Sequence, residues 1–494
     1  MASVPTETLG LTTTTPPTAT PLLPFGPWAD LPADLLHRVG DILHELKCYA
    51  SARGTCAAWR RTLTPPTPSL LVVFNSATDG RPVPNIAFAA SLPMRRPLSL
   101  RPVPSGGRWV GSSNGWLAHL ALLNPPETPV SLLSLLNPVT GAEISLPALM
   151  CVSRLVSKIV FDVNTSRHDF IVVAMFDVDR LACIVAGDKQ WTILDPVRLD
   201  GKDHLADLIY HEEGMVYCLT RRGDVYVVHL PKSRHGPTGP DQNALPAMVE
   251  PLQSLAHLLF DPTTSSAPSY DMVADHTSAN LFYYKGNMYL FPTNASFAPT
   301  LPLPVGGHHH VAETGPNPNA PVATIEPLLS STNLPFDPST SFAPPYDTIS
   351  GYTSAKNLAS CQGNLYQIWR NTSCMVTLSL PAGGRRRVGE DEIFVLKYYP
   401  QRQPCWDAVT DLGGYSVFVG RNNAVSMYAE GVPGLKGDCV YWIGGRGRDR
   451  GMVFDMETKR STPCLPTVAG VAPGSTICWY FLSDKVVNNR NANA

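Results

Sequence analysis

The segment at 108–117, RWVGSSNGWL, holds the first candidate for chemistry. Its residues 111–115 fit the G-x-S-x-G pattern of hydrolases that raise a nucleophilic serine on a sharp turn between a strand and a helix. The pattern by itself is common, because two of its five positions accept any residue. Ser113 is therefore a candidate nucleophile only if the flanking sequence forms a strand, a turn and then a helix.

The flanking sequence predicts a different structure. The stretch after the pattern, WLAHLALL, reaches Asn124-Pro125-Pro126 within three helical turns, and proline ends a helix. Beyond it, SLLSLLNPVTGAEISLP carries a turn signal at 137–141 between two apolar segments. These patterns are typical of a β-meander. We therefore predict that the chain is not an enzyme, and a serine hydrolase that uses Ser113 is the alternative.

Two further kinds of cluster could bind a ligand. His308-His309-His310 could hold a metal, but consecutive residues in a Gly/Pro-flanked loop do not converge on one ion as ligands from a rigid element do. The basic runs at 385–387 and 444–451 lie beside acidic residues, which is typical of solvated hairpin tips. They also lack aromatic residues arranged to stack bases. We therefore predict no metal site, no cofactor and no nucleic-acid partner.

The composition indicates a neutral globular protein. Its 494 residues are 44% hydrophobic, and 38 basic and 40 acidic residues give a net charge of -2, which offers no general attraction to nucleic acid or membrane. The 11 cysteines include no C-x-x-C pair and indicate reduced thiols. No charged leader precedes an apolar block, and no run approaches the ~18 apolar residues that span a bilayer. We expect a protein of the cytoplasm, the nucleus or both, with no membrane partner.

The two ends of the chain are predicted to be disordered, and a helical unit follows the first of them. Residues 1–27 are rich in Thr and Pro and almost uncharged, and a second disordered tail is predicted at 483–494. In the unit at 28–64, one amphipathic helix starts after Asp30 and a second runs from about 49 to 63. The first helix is predicted from the helical spacing of Leu35, Val39, Ile42 and Leu46. Because so short a unit cannot close a core, its apolar faces need a partner.

This unit resembles the F-box. The F-box pattern is L-P-x-x-L-L-x-x-I followed by C-x-x-W-R, and the chain departs from it where Lys47-Cys48-Tyr49 replaces the usual acidic turn. F-box proteins dock onto the Skp-type adaptor of cullin-RING ubiquitin ligases. The resemblance implies that the adaptor is bound by Leu31, Pro32, Leu35, Leu36, Val39, Leu46 and Trp59. The alternative is a helical hairpin packed on its own domain. The proline-rich segments on both sides of the unit argue against this alternative, because we expect them to separate the helices from the rest of the chain.

After Ser69 the sequence predicts strands almost to its end. Short β-branched or aromatic runs such as LLVVF (70–74) and DFIVVAMF (169–176) are bounded by turn residues, and 214–230 is typical of a hairpin whose turn is 221–224. Strands that begin with glycine recur after Gly286 and Gly363. Repeated strand units of this kind favour a propeller, in which each blade packs on its neighbours.

The same region resembles plant F-box proteins whose C-terminal domain of unknown function is a kelch-like β-propeller. The resemblance rests on VGSSNGWL (110–117), SLLNPVTGAEISLP (134–147), NLASCQGNLYQIWR (357–370) and the strands at 418–442. In that family the G-S-S-x-G-W motif is structural, with its glycines at tight turns and its tryptophan in the core. The fold class implied is mainly β: a kelch-like β-propeller at 70–482 preceded by a small α-helical F-box.

A tandem duplication lies inside the propeller region. Residues 238–280 align without gaps to 314–356, and 23 of the 43 pairs are identical. The identities include loop residues, which drift most easily, so a recent duplication explains them better than propeller symmetry does. Since the second copy continues into the family-like segment at 357–370, we predict that the first copy forms an insert at 235–310.

The function that these resemblances imply is that of a substrate-receptor subunit of a cullin-RING (SCF-type) ubiquitin ligase. The F-box would bind the Skp-type adaptor, and through it a cullin, while the propeller would bind a target protein that the sequence does not identify. The alternatives are the serine hydrolase above and a propeller scaffold that no longer binds an adaptor.

Overall fold

The structure is a computed structural model of the 494-residue chain. It describes residues 27–74, 77–78, 81–82, 86–100, 108–123, 130–150, 156–164, 169–176, 180–194, 203–211, 214–230, 279–284, 287–292, 324–328, 336–353, 355–373, 375–380, 382–444, 450–464 and 475–482. The predicted tails, apart from Pro27, lie outside these ranges, as do the three consecutive histidines and most of the predicted insert.

The N-terminal unit contains three short helices after a 3-10 turn. They are the 3-10 helix Pro27–Asp30, α1 (Ala33–Ile42), α2 (Leu46–Gly54) and α3 (Ala57–Thr62). The predicted single helix through Leu46 is wrong, because the chain after α1 is extended and the amide of Ser99 donates to the carbonyl of His44 at 2.7 Å. The predicted second helix divides at Cys56, whose extended backbone starts α3. Within the described ranges, no helix has the length and apolar character needed to cross a membrane.

Six sheets of four or five strands follow, in the part of the chain that the structure describes, and they form the blades of a propeller. Blade 1 contains β1 (Ser69–Phe74), β4 (Ile86–Ser91), β5 (Arg96–Ser99) and the last strand, β32 (Ser475–Tyr480). Blade 2 contains β6 (Arg108–Ser113), β7 (Trp116–Leu123), β8 (Val130–Leu136), β9 (Glu143–Ser145) and β10 (Leu149–Met150). Blade 3 contains β11 (Val156–Asn164), β12 (Asp169–Phe176), β13 (Arg180–Val185) and β14 (Thr192–Leu194).

The second half of the propeller is built in the same way. Blade 4 contains β15 (Leu205–His211), β16 (Met215–Thr220), β17 (Val225–His229) and β20 (Thr324–Pro327). Blade 5 contains β21 (Ala355–Cys361), β22 (Asn364–Arg370), β25 (Ile393–Tyr398) and β26 (Trp406–Ala408). Blade 6 contains β27 (Tyr415–Phe418), β28 (Val425–Tyr428), β29 (Cys439–Gly444), β30 (Arg450–Asp455) and β31 (Arg460–Pro463). The predicted mainly-β propeller is confirmed.

Smaller elements lie outside the blades. Three two-stranded ribbons lie in the described residues and are formed by β2 (Ala77–Thr78) with β3 (Arg81–Pro82), β18 (Ala279–Tyr284) with β19 (Asn287–Pro292), and β23 (Thr377–Ser379) with β24 (Arg385–Arg387). Helix α4 (Pro338–Ser341) and the 3-10 helix Tyr346–Thr348 precede blade 5.

The two ends of the propeller domain meet in blade 1. Strand β32 pairs antiparallel with β1, with Ser69 opposite Tyr480 and Leu70 opposite Trp479. Six buried clusters then lie between successive blades, including one shared by blades 6 and 1 that contains Leu70, Trp479 and Phe418. Because each blade packs on neighbours at both faces, strands such as β12 read as continuous apolar runs. The stability of the ring thus comes from contacts between blades.

Blade 4 takes its outermost strand from the far side of the predicted insert. β17 pairs with β20, so that His229 lies opposite Thr324 and the His229 imidazole is 2.7 Å from the Glu326 carboxylate. Among the described strands, β18 and β19 pair only with each other. The chain therefore leaves blade 4 after β17 and returns to complete it.

Candidate functional site

One side of helix α1 carries an apolar face in contact with solvent. Leu35 is 44% exposed and Ile42 is 73% exposed, while Val39 between them is half-buried. The three residues recur at helical spacing and form one stripe, which Leu31 extends beyond the helix start. Trp28, in the preceding 3-10 helix, is 68% exposed. We call Trp28, Leu31, Leu35, Val39 and Ile42 the α1 face.

The opposite side of the helical unit belongs to the core of blade 1. Leu46, Tyr49 and Leu63 are buried in one cluster with Leu71 of β1 and Leu98 of β5. The expectation that proline-rich segments separate the helices from the propeller is therefore wrong, because Pro66, Thr67 and Pro68 are themselves buried and lead directly into β1. The alternative of a hairpin packed on its own domain describes this inner side of the unit.

An arginine of the propeller fixes the end of α1. The Arg96 guanidinium donates to the carbonyl oxygens of Gly40, Asp41 and Leu43 at 2.6, 3.2 and 3.2 Å. These carbonyls lie in the last turn of α1 and at the residue after it, where few backbone amides are available as donors, and a cation beside them is also favoured by the helix dipole. Arg96 additionally lies 5.7 Å from the ring centre of Tyr49. No motif in the sequence pointed to Arg96, since its role depends on a contact across more than fifty residues.

The structure divides the seven predicted adaptor contacts into two groups. Leu36 and Leu46 are buried, at 2% and 0% exposure, and so belong to the chain's own core. The residues that are exposed or half-buried are Leu31, Pro32, Leu35, Val39 and Trp59. The Trp59 indole nitrogen donates to the carbonyl of Trp28 at 2.8 Å, which ties the segment bearing Trp28 to α3. Trp28 and Ile42 were not among the predicted contacts, although the spacing of Ile42 from Leu35 already placed it on the same stripe.

Burial also shapes the polar groups behind the α1 face. The Tyr49 hydroxyl donates to the carbonyl of Thr64 at 2.9 Å, and burial raises the pKa of this phenol. The Arg53 guanidinium donates to the carbonyl of Leu63 at 3.0 Å, and burial lowers the pKa of its guanidinium. Both bonds hold the chain that links α3 to β1. These groups hold the backbone behind the α1 face. They do not include a nucleophile paired with a general base, which covalent catalysis requires.

The G-x-S-x-G segment forms a hairpin. Ser113 ends β6, Asn114 and Gly115 have φ values of 47° and 79°, and Trp116 starts β7, which is a two-residue turn of the type that asparagine and glycine favour. Ser113 is only 3% exposed, and Trp116 is buried. A nucleophile elbow requires a helix after the serine, whereas a strand follows here. The predicted structural role is confirmed for Gly115, which lies in the turn, and for Trp116, which lies in the core, whereas Gly111 lies within β6 and not at a turn.

The glycines of this segment permit close approach of neighbouring chain. A Cβ atom at Gly111 would lie 2.3 Å from the carbonyl oxygen of Ile159 in β11, and one at Gly115 would lie 2.9 Å from the carbonyl oxygen of Leu482. No side chain fits either position without moving backbone. The motif thus joins blade 2 to blade 3 and to the backbone at Leu482, just after β32.

Polar side chains near the propeller axis are engaged with each other. The Lys158 ammonium lies 2.6 Å from one oxygen of Asp207, whose other oxygen accepts from the amide of Leu358 at 2.9 Å and from the side chain of Asn357 at 3.1 Å. These contacts connect blades 3, 4 and 5. Removal of either Lys158 or Asp207 would leave the other as a buried charge without its partner. These contacts therefore hold the inner strands of the three blades together.

The loop between β27 and β28 crosses to the opposite blades. The amide of Asn423 donates to the carbonyl of Ser112 in blade 2 at 2.8 Å. Its side chain accepts from the amide of Tyr210 in blade 4 at 2.9 Å and donates to the carbonyl of the same residue at 3.2 Å. Asn423 therefore links three blades through backbone groups, and it was not singled out by the sequence.

Comparison with known proteins assigns the fold to a family. A family model described as KIB1-4 beta-propeller matches residues 89–266 and 262–462, which is most of the chain. The chain belongs to the KIB1-4 beta-propeller family. Because the KIB1-4 match starts at residue 89, inside β4, it does not cover α1 to α3. No curated protein matches the sequence.

Two solved structures share a distant similarity with this KIB1-4 propeller. A putative 6-phosphogluconolactonase from Bacteroides uniformis has 7% sequence identity and a TM-score of 0.30, over 80% of this chain and 82% of that one. A puromycin-hydrolyzing peptidase from Mycobacterium tuberculosis has 12% identity and a TM-score of 0.23, over 75% of this chain and 56% of that one. At these TM-scores neither similarity supports an argument about function.

Proposed function

We propose that this chain is the substrate-receptor subunit of a cullin-RING (SCF-type) ubiquitin ligase. Helices α1 to α3 bind the Skp-type adaptor, and through it a cullin, while the propeller binds a target protein. The observation that carries the proposal is the α1 face, in which F-box-like residues such as Leu35 remain exposed although Leu36 and Leu46 of the same unit are buried. An apolar surface of this kind is typical of a protein interface. A KIB1-4 propeller is compatible with a role in protein interaction.

The arrangement suits a receptor because the helices and the propeller share one core. Arg96 and the cluster around Leu46 fix α1 relative to blade 1, so an adaptor on the α1 face and a target on the propeller are held at a set separation. Such a geometry raises the target's effective concentration near the ubiquitin-carrying enzyme. The chain itself performs no bond chemistry and uses no cofactor. We place it in the cytoplasm, the nucleus or both, with no nucleic-acid or membrane partner.

A propeller scaffold that no longer binds an adaptor is the second candidate. It is favoured by the burial of Leu36 and Leu46, two residues of the F-box pattern, in the chain's own core. The two candidates differ in what covers the α1 face: an adaptor in the receptor, and solvent in the scaffold.

Substitution within the α1 face separates these candidates. Leu35→Ala combined with Ile42→Ala removes two exposed side chains, so the fold and its unfolding temperature should not change. Interface anchors of this type commonly contribute ~2 kcal/mol or more each, which predicts a loss of adaptor affinity of well over tenfold. The measurement is binding of a purified Skp-type adaptor to the full chain by isothermal titration calorimetry.

The matched control is Met375→Ala combined with Tyr352→Ala, which removes two side chains that are 80% and 71% exposed on the propeller. This control should bind the adaptor as the unsubstituted chain does. Absence of adaptor binding by the unsubstituted chain would support the scaffold instead. Equal binding by the Leu35 and Ile42 variant would show that the α1 face is not the docking surface.

A further inference from the structure

The ribbon of β18 and β19 repeats the first two strands of blade 5. Residues 280–289, NLFYYKGNMY, align to 357–366, NLASCQGNLY, and five of the ten pairs are identical. This similarity directly follows the duplicated segment that ends at 280. The offset grows from 76 to 77 residues at this point, because Lys356 has no counterpart in the first copy. The duplication therefore extends into the strands of blade 5.

The first copy contains half of a blade. Tyr284 lies opposite Asn287, just as Cys361 lies opposite Asn364 in blade 5, so the two hairpins have the same register. In blade 5, β22 also pairs with β25, and β25 pairs with β26. Among the described strands, β19 has no third strand beside it. We call β18 and β19 the half-blade.

The half-blade lacks the residues that join blade 5 to blade 4. Lys356 donates to the carbonyl of Arg221, and its ammonium lies 4.7 Å from the ring centre of Trp369. The first copy lacks Lys356 and has Pro292 in place of Trp369. Trp369 pairs with strands on both sides, whereas a proline has no amide hydrogen to donate within a sheet. The half-blade therefore does not carry the contacts that would hold it beside blade 4.

The side of blade 5 that faces blade 6 leads to the same conclusion. Ala359 and Cys361 are 0% and 1% exposed and belong to one cluster with Val417 of blade 6. The first copy has Phe282 and Tyr284 at these two positions. Side chains of this size do not fit a close-packed site formed around alanine and cysteine. The half-blade is therefore unsuited to the position of β21 and β22 in the ring.

Strand β19 is left with an open edge. A hairpin of two strands is marginally stable in water, and an unpaired strand edge is a template for a further strand. The connections from β17 to β18 and from β19 to β20 contain 49 and 31 residues, at 230–278 and 293–323. A chain of 31 residues spans up to ~100 Å when it is fully extended. These lengths allow the half-blade to reach a second molecule.

We propose that the half-blade is a self-association element, in which β19 pairs antiparallel with β19 of a second copy of this chain. Two half-blades then form a four-stranded sheet, which is the number of strands in blades 1, 3, 4 and 5. An antiparallel pair of identical strands has twofold symmetry, so both chains use the same residues and the assembly closes as a dimer. Pairing through 287–291 places Tyr289 opposite its own counterpart and leaves Pro292 outside the ladder. The dimer does not depend on the proposed receptor function.

Sedimentation velocity across a concentration series tests this dimer. The full chain should associate reversibly, because a single strand of six residues forms a small interface, and the chain without 235–310 should remain monomeric at every concentration. Tyr289→Lys and Tyr289→Glu should each weaken the dimer at least tenfold, because like charges then lie directly opposite each other. An equimolar mixture of these two variants should restore dimerisation, because opposite charges then meet.

The matched control is Phe282→Lys, which adds the same charge on the strand away from the partner. Phe282 lies opposite Tyr289 within the hairpin. In the four-stranded sheet its two copies are ~14 Å apart, beyond the Debye length at physiological salt, so this variant should keep most of the dimer. A monomeric full chain would overturn the proposal, and so would equal association of the chain without 235–310. A mixture of the Tyr289 variants that stays monomeric would also contradict it.

Discussion

Asp224 lies in the turn between β16 and β17, close to the junction of blades 4 and 5. Its carboxylate accepts from the amide of Val225 at 2.8 Å, yet burial raises the pKa of this carboxyl to about 6. The preceding turn residue, Gly223, accepts a hydrogen bond at its carbonyl from the buried side chain of Gln367 at 2.8 Å. Single side chains at blade junctions therefore determine how stability responds to pH and to substitution.

Asp224→Asn should make the folded state less sensitive to pH. Because the folded pKa lies above the unfolded value, the folded state binds more protons between roughly pH 4 and pH 6, and its stability falls as pH rises through this window. At pH 7 the variant should be more stable by up to about 3 kcal/mol, and near pH 4 the two chains should be similar. Urea unfolding at both pH values measures the difference, and a constant difference would contradict the assignment.

Gly111→Ala tests the contact between the inner strands of blades 2 and 3. The added methyl would lie 2.3 Å from the carbonyl oxygen of Ile159, so one backbone must move. Overpacking of this kind typically costs about 1–3 kcal/mol, and the unfolding temperature should fall accordingly. Gly351→Ala is the control, since no heavy atom lies within 4 Å of its Cβ position, and thermal unfolding of that variant should match the original chain. An equal fall in the unfolding temperature of both variants would show that the contact with the Ile159 carbonyl is not the cause.

Strands and loops add constraints that no single residue reveals. Blade 6 places β28, rather than the earlier β27, next to β21 of blade 5, and β27 pairs in parallel with β29. The loop from β27 to β28 therefore passes close to the axis, where Asn423 reaches blades 2 and 4. This loop therefore links blade 6 to two blades that are not its neighbours in the ring.

Asn423→Ala should weaken the closed ring. The variant loses both side-chain hydrogen bonds to Tyr210 and leaves backbone groups without those partners, at a cost of about 1–3 kcal/mol. Hydrogen exchange of the amides in β15 should accelerate more than that of the outer strands. As a control, Asn364→Ala removes an exposed hydrogen bond to Gln362 and should change stability by less than about 0.5 kcal/mol. Unchanged exchange in β15 would contradict the role of the crossing loop.

The arrangement of the chain as a whole reflects the duplication. Offset by 76 residues, the first copy repeats most of the α4 region but has Ser266 where the second copy has Phe342. Phe342 is fully buried, with its ring centre 4.8 Å from that of Trp369. A serine cannot fill that aromatic site, so the second copy is the one suited to pack between blades 4 and 5.

Removal of His235 through His310 should therefore leave a cooperative propeller. The shortened chain keeps β17, β20 and Phe342, and a longer loop costs only ~0.6 kcal/mol per doubling of length, so the insert persists without being needed. Phe342→Ser in the shortened chain should then destabilise it by about 3–5 kcal/mol. Calorimetric unfolding measures both. Loss of the cooperative transition on deletion alone would show that 235–310 is integral to the fold.

The sequence by itself predicted the class of fold and much of its local structure. Strand runs and the hairpin turn at 221–224 follow from side-chain period and backbone preference, which are local properties. The spacing of Leu35, Val39 and Ile42 likewise placed them on one stripe. Local rules also argued against a nucleophile elbow around Ser113, because its flanks predict no helix of several turns.

Only the tertiary structure decided which of these surfaces stay exposed. Leu35 and Leu36 are identical side chains at adjacent positions, but α1 packs against α3 on one side, and Leu36 is buried while Leu35 remains in solvent. The roles of Arg96 and Asn423 depend on partners distant in the chain, as does the neutralisation of Arg370, which pairs with Asp391 across the ribbon of β23 and β24. These contacts form only when the propeller closes and its blades bury the groups between them. The periodicity of side chains along the sequence does not encode which distant residues then meet.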